Sequence, residues 1–267
     1  MMVTIKKSAD LNIIGVIPAR MGSSRFPGKP LAKILDIPMV GHVYFRSKMN
    51  ETLKEIYVAT CDQEIGDYAD SIGAQWVMTK DIYERPSERV AEAVIKIEEK
   101  TGKKLDIAVM IQGDEPMVHP QMIDQSIEPM IEDSSIGVVN LTAPIKTIEE
   151  HNDPNCVKVV LDKKGFAIYF SREPIPSRKK GAKEVPMFKQ VCIIPFRRDF
   201  LLKYNELEST PLEQIESIDM LRVLEHGYKV KMAPTDFQTH AVDTPQDLQH
   251  VEELMKDDPL ISQYKNS

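Results

Sequence analysis

The chain has 267 residues, 42% of them hydrophobic and 28% charged, with a formal net charge of −7. That length can bury a sizeable core, and residues 1–267 read as one α/β domain with insertions rather than two independent units. The acidic balance excludes a general nucleic-acid coat, and no apolar run reaches the about 20 residues that a membrane span needs.

The first ten residues, MMVTIKKSAD, carry two lysines but no apolar stretch of leader length before Leu11, so a cytoplasmic protein is expected. Cys61, Cys156 and Cys192 are odd in number and widely spaced, with no CxxC pair and no zinc spacing. They read as buried small apolar residues in a reducing compartment.

In chain order, 11–17 reads as a buried strand and 38–49 as a helix with Pro38 near its first turn. A second strand is predicted over 55–59, a helix over 63–71 and a short strand over 75–78. Val90, Ala93, Val94 and Ile97 recur at three- and four-residue steps, which predicts a helix over 87–100 with one apolar face. Residues 106–111 form another buried strand, 120–131 a helix and 136–143 a strand. This alternation implies a mainly parallel central sheet with helices on both faces. Strands follow over 157–161, 167–170 and 191–196, with a turn at 162–165. The basic, Pro- and Gly-rich stretch 174–186 has no periodicity and reads as a mobile loop or flap. Helices over 198–204 and 211–226, a strand over 229–233 and a helix over 245–256 complete the pattern, and the residues after 257 are expected to fray. The stretch of roughly 155–210 stands out as a strand-rich subregion.

The sharpest local signal is Ile17-Pro18-Ala19-Arg20-Met21-Gly22-Ser23-Ser24-Arg25-Phe26-Pro27-Gly28-Lys29-Pro30, directly after the first strand. Strand ends are where open α/β sheets bind ligands. Gly22, Ser23 and Ser24 let the backbone turn and aim N–H groups inward, as phosphate cradles require. Arg20, Arg25 and Lys29 add cations suited to a triphosphate and to the charge growing on a departing pyrophosphate. The spacing is not that of a Walker A loop. Asp114 follows the 106–111 strand in the turn Gly113-Asp114-Glu115-Pro116, where a carboxylate can lean over the same crevice or simply form the turn. Asp243 precedes Thr244-Pro245, and on spacing alone Asp243 or Thr244 reads as a helix cap. Magnesium takes one or two carboxylates together with substrate phosphates. The six histidines are scattered without HxH or HExxH spacing, so none is assigned to catalysis.

The loop, written R-x-x-S-x-R-x-P-G-K-P, resembles the signature of the 3-deoxy-manno-octulosonate (Kdo) cytidylyltransferases. Further matches are Val109–Pro116, Asn155–Val160, Tyr169–Arg172, Pro211–Glu213, Leu221–Leu224 and Val242–Pro245. The resemblance covers roughly residues 11–255 and implies a Rossmann-like, nucleotide-diphospho-sugar transferase-like fold. It implies transfer of CMP from CTP to an acidic sugar, Kdo or a Kdo-like acid, for activated-sugar supply to cell-surface polysaccharide such as lipopolysaccharide. It further implies Mg2+ held by Asp114 and Asp243, and a homodimer formed through the middle strands, so that 155–210 serves acceptor binding and dimerisation. Carried over by residue, Arg20, Lys29, Asp114 and Asp243 are catalytic. Pro18, Ala19, Arg20, Ser23, Arg25, Lys29, Ser87, Arg89 and Gln112 bind the nucleotide. Gln112, Arg172, Gln190, Ile194 and Asp219 face the acceptor.

The acceptor region departs from the family. Where the family reads HQSGTER this chain has Tyr83-Glu84-Arg85-Pro86-Ser87-Glu88-Arg89, and where it reads HxGIYGYR this chain has Gln190–Arg197. The family's Glu-Gln pair is Asp219-Met220 here. Ile194 and Met220 replace polar partners with an apolar wall. A different small anion, such as a phosphonate, is therefore an alternative acceptor. Another nucleotide, GTP or UTP, and an inactive nucleotide-binding regulator are the further alternatives. The short basic run at 178–180 lacks interleaved aromatics and reads as a solvated loop rather than a nucleic-acid site.

Overall fold

The computed structural model of the chain describes residues 10–23, 25–182 and 184–265. Of the stretches read above, residues 1–9, Ser24, Lys183 and residues 266–267 lie outside the described residues.

The first half runs β1 (Ile13–Ala19), β2 (Lys33–Ile34), β3 (Ile37–Pro38), α1 (Met39–Lys48), β4 (Glu55–Thr60), α2 (Gln63–Ser71), β5 (Gln75–Met78), α3 (Pro86–Thr101), β6 (Ile107–Ile111), α4 (Pro120–Glu132) and β7 (Val139–Pro144). The second runs α5 (Ile148–Asn152), β8 (Lys158–Leu161), β9 (Ala167–Ser171), β10 (Phe188–Val191), β11 (Ile193–Arg197), α6 (Arg198–Glu206), α7 (Pro211–Glu216), α8 (Asp219–Glu225), β12 (Lys231–Pro234) and α9 (Pro245–Met255).

The central sheet has the order β11-β6-β1-β4-β5. Its members β6, β1, β4 and β5 are parallel, with β11 antiparallel at one edge. Side chains alternate across β1, so Ile13 and Ile17 join one core while Ile14 and Val16 join another. The first core takes α1, α2 and α4, and the second takes α3, α6 and α8. Helices therefore cover both faces, as the β-α rhythm implies. A second sheet, β12-β7-β10-β8-β9, gathers strands of the 155–210 stretch together with β7 and β12 from outside it. It is antiparallel except for the β12–β7 pair.

Several sequence expectations need correction. The single strand expected over 191–196 is two, because β10 pairs with β7 and β8 in one sheet while β11 pairs with β6 in the other. The switch falls at Cys192, inside an unbroken apolar run that carries no mark of a change of partner. The helix expected over 211–226 breaks at Ser217, whose φ is 54°. Tertiary bonds compensate for that conformation: Glu216 accepts from Ser171, Tyr169 and the Arg172 N–H, and Arg85 Nη1 donates to Ser217 Oγ at 2.8 Å. The β2–β3 hairpin was not legible, because Leu35 and Asp36 fill its positive-φ turn where glycine or asparagine is usual. The three cysteines are free, but each is partly exposed rather than fully buried. Residues 258–265 are packed rather than frayed, since Ile261 and Tyr264 are 7% and 3% exposed. No helix among the described residues is long and apolar enough to cross a membrane.

Candidate active site

The C-terminal ends of β1 and β6 meet at a cleft of about 360 Å³. Gly113 makes the approach possible: a Cβ there would sit 2.9 Å from the Pro18 carbonyl oxygen. The phosphate-type loop leaves β1 and is shaped from within. Gly28 N and Ser23 N both donate to the Met21 carbonyl at 2.9 and 2.8 Å, and Met21 N donates to Asp62 Oδ2 at 2.8 Å. Gly28, at φ 76°, then turns the chain into a short 3₁₀ turn that presents Lys29.

Lys29 Nζ lies 2.7 Å from Asp114 Oδ2, 3.3 Å from Asp243 Oδ1 and 2.9 Å from the Val242 carbonyl oxygen. Burial alone would lower the lysine, but the charges and hydrogen bonds of Asp114 and Asp243 outweigh it and raise it above the ordinary value. Arg25 Nη2 adds a second cation 2.9 Å from Asp243 Oδ1, while its Nη1 donates to Asn155 Oδ1 at 2.7 Å. The backbone fastens the two acids together, since Val242 N donates to the Asp114 carbonyl at 2.9 Å. The capping alternative for Asp243 is resolved by its neighbour: Thr244 caps α9 by accepting from Asp247 N, which leaves the Asp243 carboxylate to the cleft.

The pair fits a hard divalent cation. Asp114 Oδ1 is buried with no hydrogen-bond partner, an acceptor of the kind such an ion takes. Among the described residues no group of three or more His, Cys, Asp or Glu could hold a metal by itself, so phosphate and water oxygens would have to complete the shell.

Of the residues carried over from sequence, Pro18, Ala19, Arg20, Ser23, Arg25, Lys29, Arg89, Gln112, Asp114 and Asp243 line this cleft together. Arg20 Nη1 donates to the Tyr83 carbonyl at 3.2 Å and ties the loop to the opposite wall. Arg89 is 2% exposed, donates Nη1 to Thr79 Oγ1 at 2.5 Å and keeps Nη2 unpartnered. Ser87 does not line the cleft. It is fully buried, with Oγ 2.5 Å from Asp219 Oδ2 and 3.2 Å from the Tyr204 hydroxyl.

The acceptor set does not line the cleft beyond Gln112. Arg172 spends its guanidinium on the carbonyls of Glu216, Pro154 and Ser217 at 2.6, 2.8 and 3.3 Å. Gln190 Nε2 donates to Asn140 Oδ1 at 2.5 Å, and Ile194 is packed in the second core. Asp219 is partly buried, and desolvation raises its carboxyl above the usual range despite the Ser87 bond. Sequence reasoning missed Arg85, Ser217 and Met39, which do line the cleft. The departure at 83–87 marked Arg85, whereas nothing local marked Ser217, whose place follows from the break between α7 and α8.

A cationic loop at the end of a parallel strand, facing two acids delivered from distant turns, defines a nucleotidyltransferase. A family model described as "Cytidylyltransferase" matches residues 14–232. A 3-deoxy-manno-octulosonate cytidylyltransferase from Geotalea uraniireducens (strain Rf4) is 40% identical over 256 residues, covering 92% of this chain and 100% of its own length. The mitochondrial 3-deoxy-manno-octulosonate cytidylyltransferase of Arabidopsis thaliana is 41% identical, with coverage of 92% and 83%. A solved CMP:2-keto-3-deoxy-manno-octonic acid synthetase complexed with CTP superposes with a TM-score of 0.84 at 35% identity, over 92% of this chain and 98% of that one. The chain belongs to the 3-deoxy-manno-octulosonate cytidylyltransferase family and is a CTP-dependent nucleotidyltransferase.

Proposed function

We propose that this chain transfers CMP from CTP to Kdo or a closely related 3-deoxy sugar acid, with Mg2+, in the cytoplasm and as a homodimer. The observation that carries the reading is Lys29 Nζ seated between Asp114 and Asp243 at the rim of the cleft. The acceptor hydroxyl oxygen bonds to the α-phosphorus of CTP, the bond from that phosphorus to the bridging oxygen breaks, and pyrophosphate leaves with the electron pair. The hydroxyl proton passes to solvent. Asp114 and Asp243 would hold the magnesium ion, which supplies Lewis-acid stabilisation of phosphate oxygens when bound. Arg20, Arg25 and Lys29 neutralise the triphosphate and the departing pyrophosphate. Pro18, Ala19, Arg89 and Gln112 form the wall that orients the nucleoside. Residues 1–267 act as one nucleotidyltransferase domain, with 155–210 as the acceptor and dimerisation subregion.

The internal engagement of Arg172 and Gln190 favours a second reading within the same reaction. In it the acceptor is a modified sugar acid, or another small anion such as a phosphonate, that needs fewer hydroxyl contacts than Kdo. The test is an acceptor panel with CTP and Mg2+, read by the mass of the CMP conjugate. Kdo conjugation at a rate typical of the family supports the first reading, and a preferred acceptor of other structure supports the second. Faster pyrophosphate release from GTP or UTP than from CTP would sink both.

A further inference from the structure

The match to the family model ends at residue 232, and the segment that follows α9 lies past it. This segment turns back across α1. Tyr264 stacks on Phe45, with ring centroids 5.6 Å apart and planes 18° from parallel. Its hydroxyl accepts from Arg46 Nε at 3.0 Å and lies 2.9 Å from His42 Nδ1. Arg46, almost wholly buried, also pairs with Asp258 Oδ2 at 2.6 Å. His42 Nε2 is 2.7 Å from the Ile34 carbonyl oxygen. Burial holds the imidazole down at about 4, so the ring is neutral at physiological pH. A carbonyl can only accept, so Nε2 carries the proton and donates to Ile34, and Nδ1 accepts from the Tyr264 hydroxyl.

This chain of bonds ends at Ile34, behind the loop that lines the cleft. Ile34 belongs to β2, a few residues beyond the turn that presents Lys29. Ile34, Met39, Val242, Val251, Met255, Ile261 and Tyr264 form a small third core of their own. Met39 lines the cleft. Val242 precedes Asp243, and its carbonyl accepts from Lys29. A single apolar cluster, closed on the outside by the C-terminal segment, thus carries the phosphate turn on one side and the Asp243 loop on the other. Glu252 of α9 adds a polar tie, accepting from Leu35 N at 3.0 Å.

We propose that Tyr264 is a positioning residue for cytidylyl transfer, and that residues 258–265 form a strap that fixes the spacing between Lys29 and Asp243. The strap acts through His42 and Ile34 on the phosphate turn and through Val242 on the metal-side acid. The inference rests on the role given to Asp243 in the proposed reaction. Misplacement of a catalytic group by about 1 Å is enough to slow chemistry by roughly 10²-fold, so a remote anchor of this kind registers in the rate.

The test uses full-length Tyr264→Ala and Tyr264→Phe, assayed well below their melting temperatures. Measured are kcat, the KM values for CTP and acceptor, and Mn2+ affinity in the presence of CTP by electron paramagnetic resonance. Tyr264→Ala is expected to lower kcat about 10-fold and weaken Mn2+ binding about 5-fold, with acceptor KM unchanged. Tyr264→Phe keeps the ring and loses only the hydroxyl bonds, so its effects should be intermediate. If Tyr264→Ala does not fold, Tyr264→Phe decides with the same readouts. Unchanged kcat and Mn2+ affinity, even with a lower melting temperature, would overturn the proposal. Asp243→Asn separates the two failures. If it retains normal turnover the site reading itself is wrong, whereas if it is inactive while the Tyr264 variants are normal, only the strap is wrong.

Discussion

At the cationic loop of the cleft, Arg25 and Lys29 reach Asp243 and Asp114, opposite charges that a substrate or cation can replace, beside one bond each to Asn155 and the Val242 carbonyl. Arg172 and Gln190, which the family resemblance assigns to the acceptor, carry the same kind of hydrogen-bonding capacity but turn it inward, onto backbone carbonyls and Asn140. The two regions show why residue type alone does not define a binding group. A side chain is available when a ligand can replace its principal partners, and it is structural when its bonds tie segments of the chain to one another. The charged groups of the loop therefore stay open to exchange at the cleft, while Arg172 and Gln190 are engaged within the protein.

The largest expected effect is on the exchangeable side. Asp114→Asn should cut turnover by about 10³-fold, with circular dichroism unchanged. Near-normal pyrophosphate release from that variant would remove the basis for treating the region as a charge-exchange site. Lys29→Met should lower kcat/KM by ~10²-fold and at the same time tighten Mn2+ binding to the nucleotide-free protein, because the ammonium no longer competes for both acids. Equal Mn2+ affinity in the two proteins would mean that the lysine is not a replaceable partner.

Arg172→Ala sharpens the other half of the comparison. Loss of its carbonyl bonds should cost about 2 kcal/mol and lower the melting temperature by roughly 4–8 °C. An unchanged melting temperature with a raised acceptor KM would return Arg172 to the acceptor. The smallest effect concerns Glu115, which is 4% exposed with Oε2 unpartnered, and which burial and then the Asp114 charge push up to about 7. A carboxyl raised on folding favours the protonated native state. Its contribution is present below the unfolded value of roughly 4.3 and is lost as pH rises towards about 7. Glu115→Gln should therefore gain a few degrees over the parent at pH 8 relative to pH 5, measured by paired thermal melts.

Much of the frame was legible because local signals and tertiary partners agree. The predicted bounds of α2 and β5 coincide with the observed ones, and Val90, Ala93, Val94 and Ile97 share the buried face of α3. The place of the cationic loop at the cleft was equally legible, since its cations and turn residues sit within a short span. What could not be read depends on distant chain. The turn at Leu35-Asp36 is held by Glu252, and the break at Ser217 is held by Arg85 and Arg172. Tyr264 is ordered by Arg46 and His42, which are more than two hundred residues away. The inward use of Arg172 was invisible for the same reason, because a motif records side chains and not the carbonyls that consume them.

The change of sheet at Cys192 constrains how this molecule can vary. One residue separates Val191, seated against Leu141, from Ile193, seated against Ile111, and its carbonyl already accepts from Gln112 N at 3.2 Å. Inserting or deleting a single residue there would turn one strand's inward side chains outward, since β alternation has a period of two. Length variation among natural relatives should therefore collect in the 174–186 loop, while the junction itself tolerates exchanges of side chain and not of spacing.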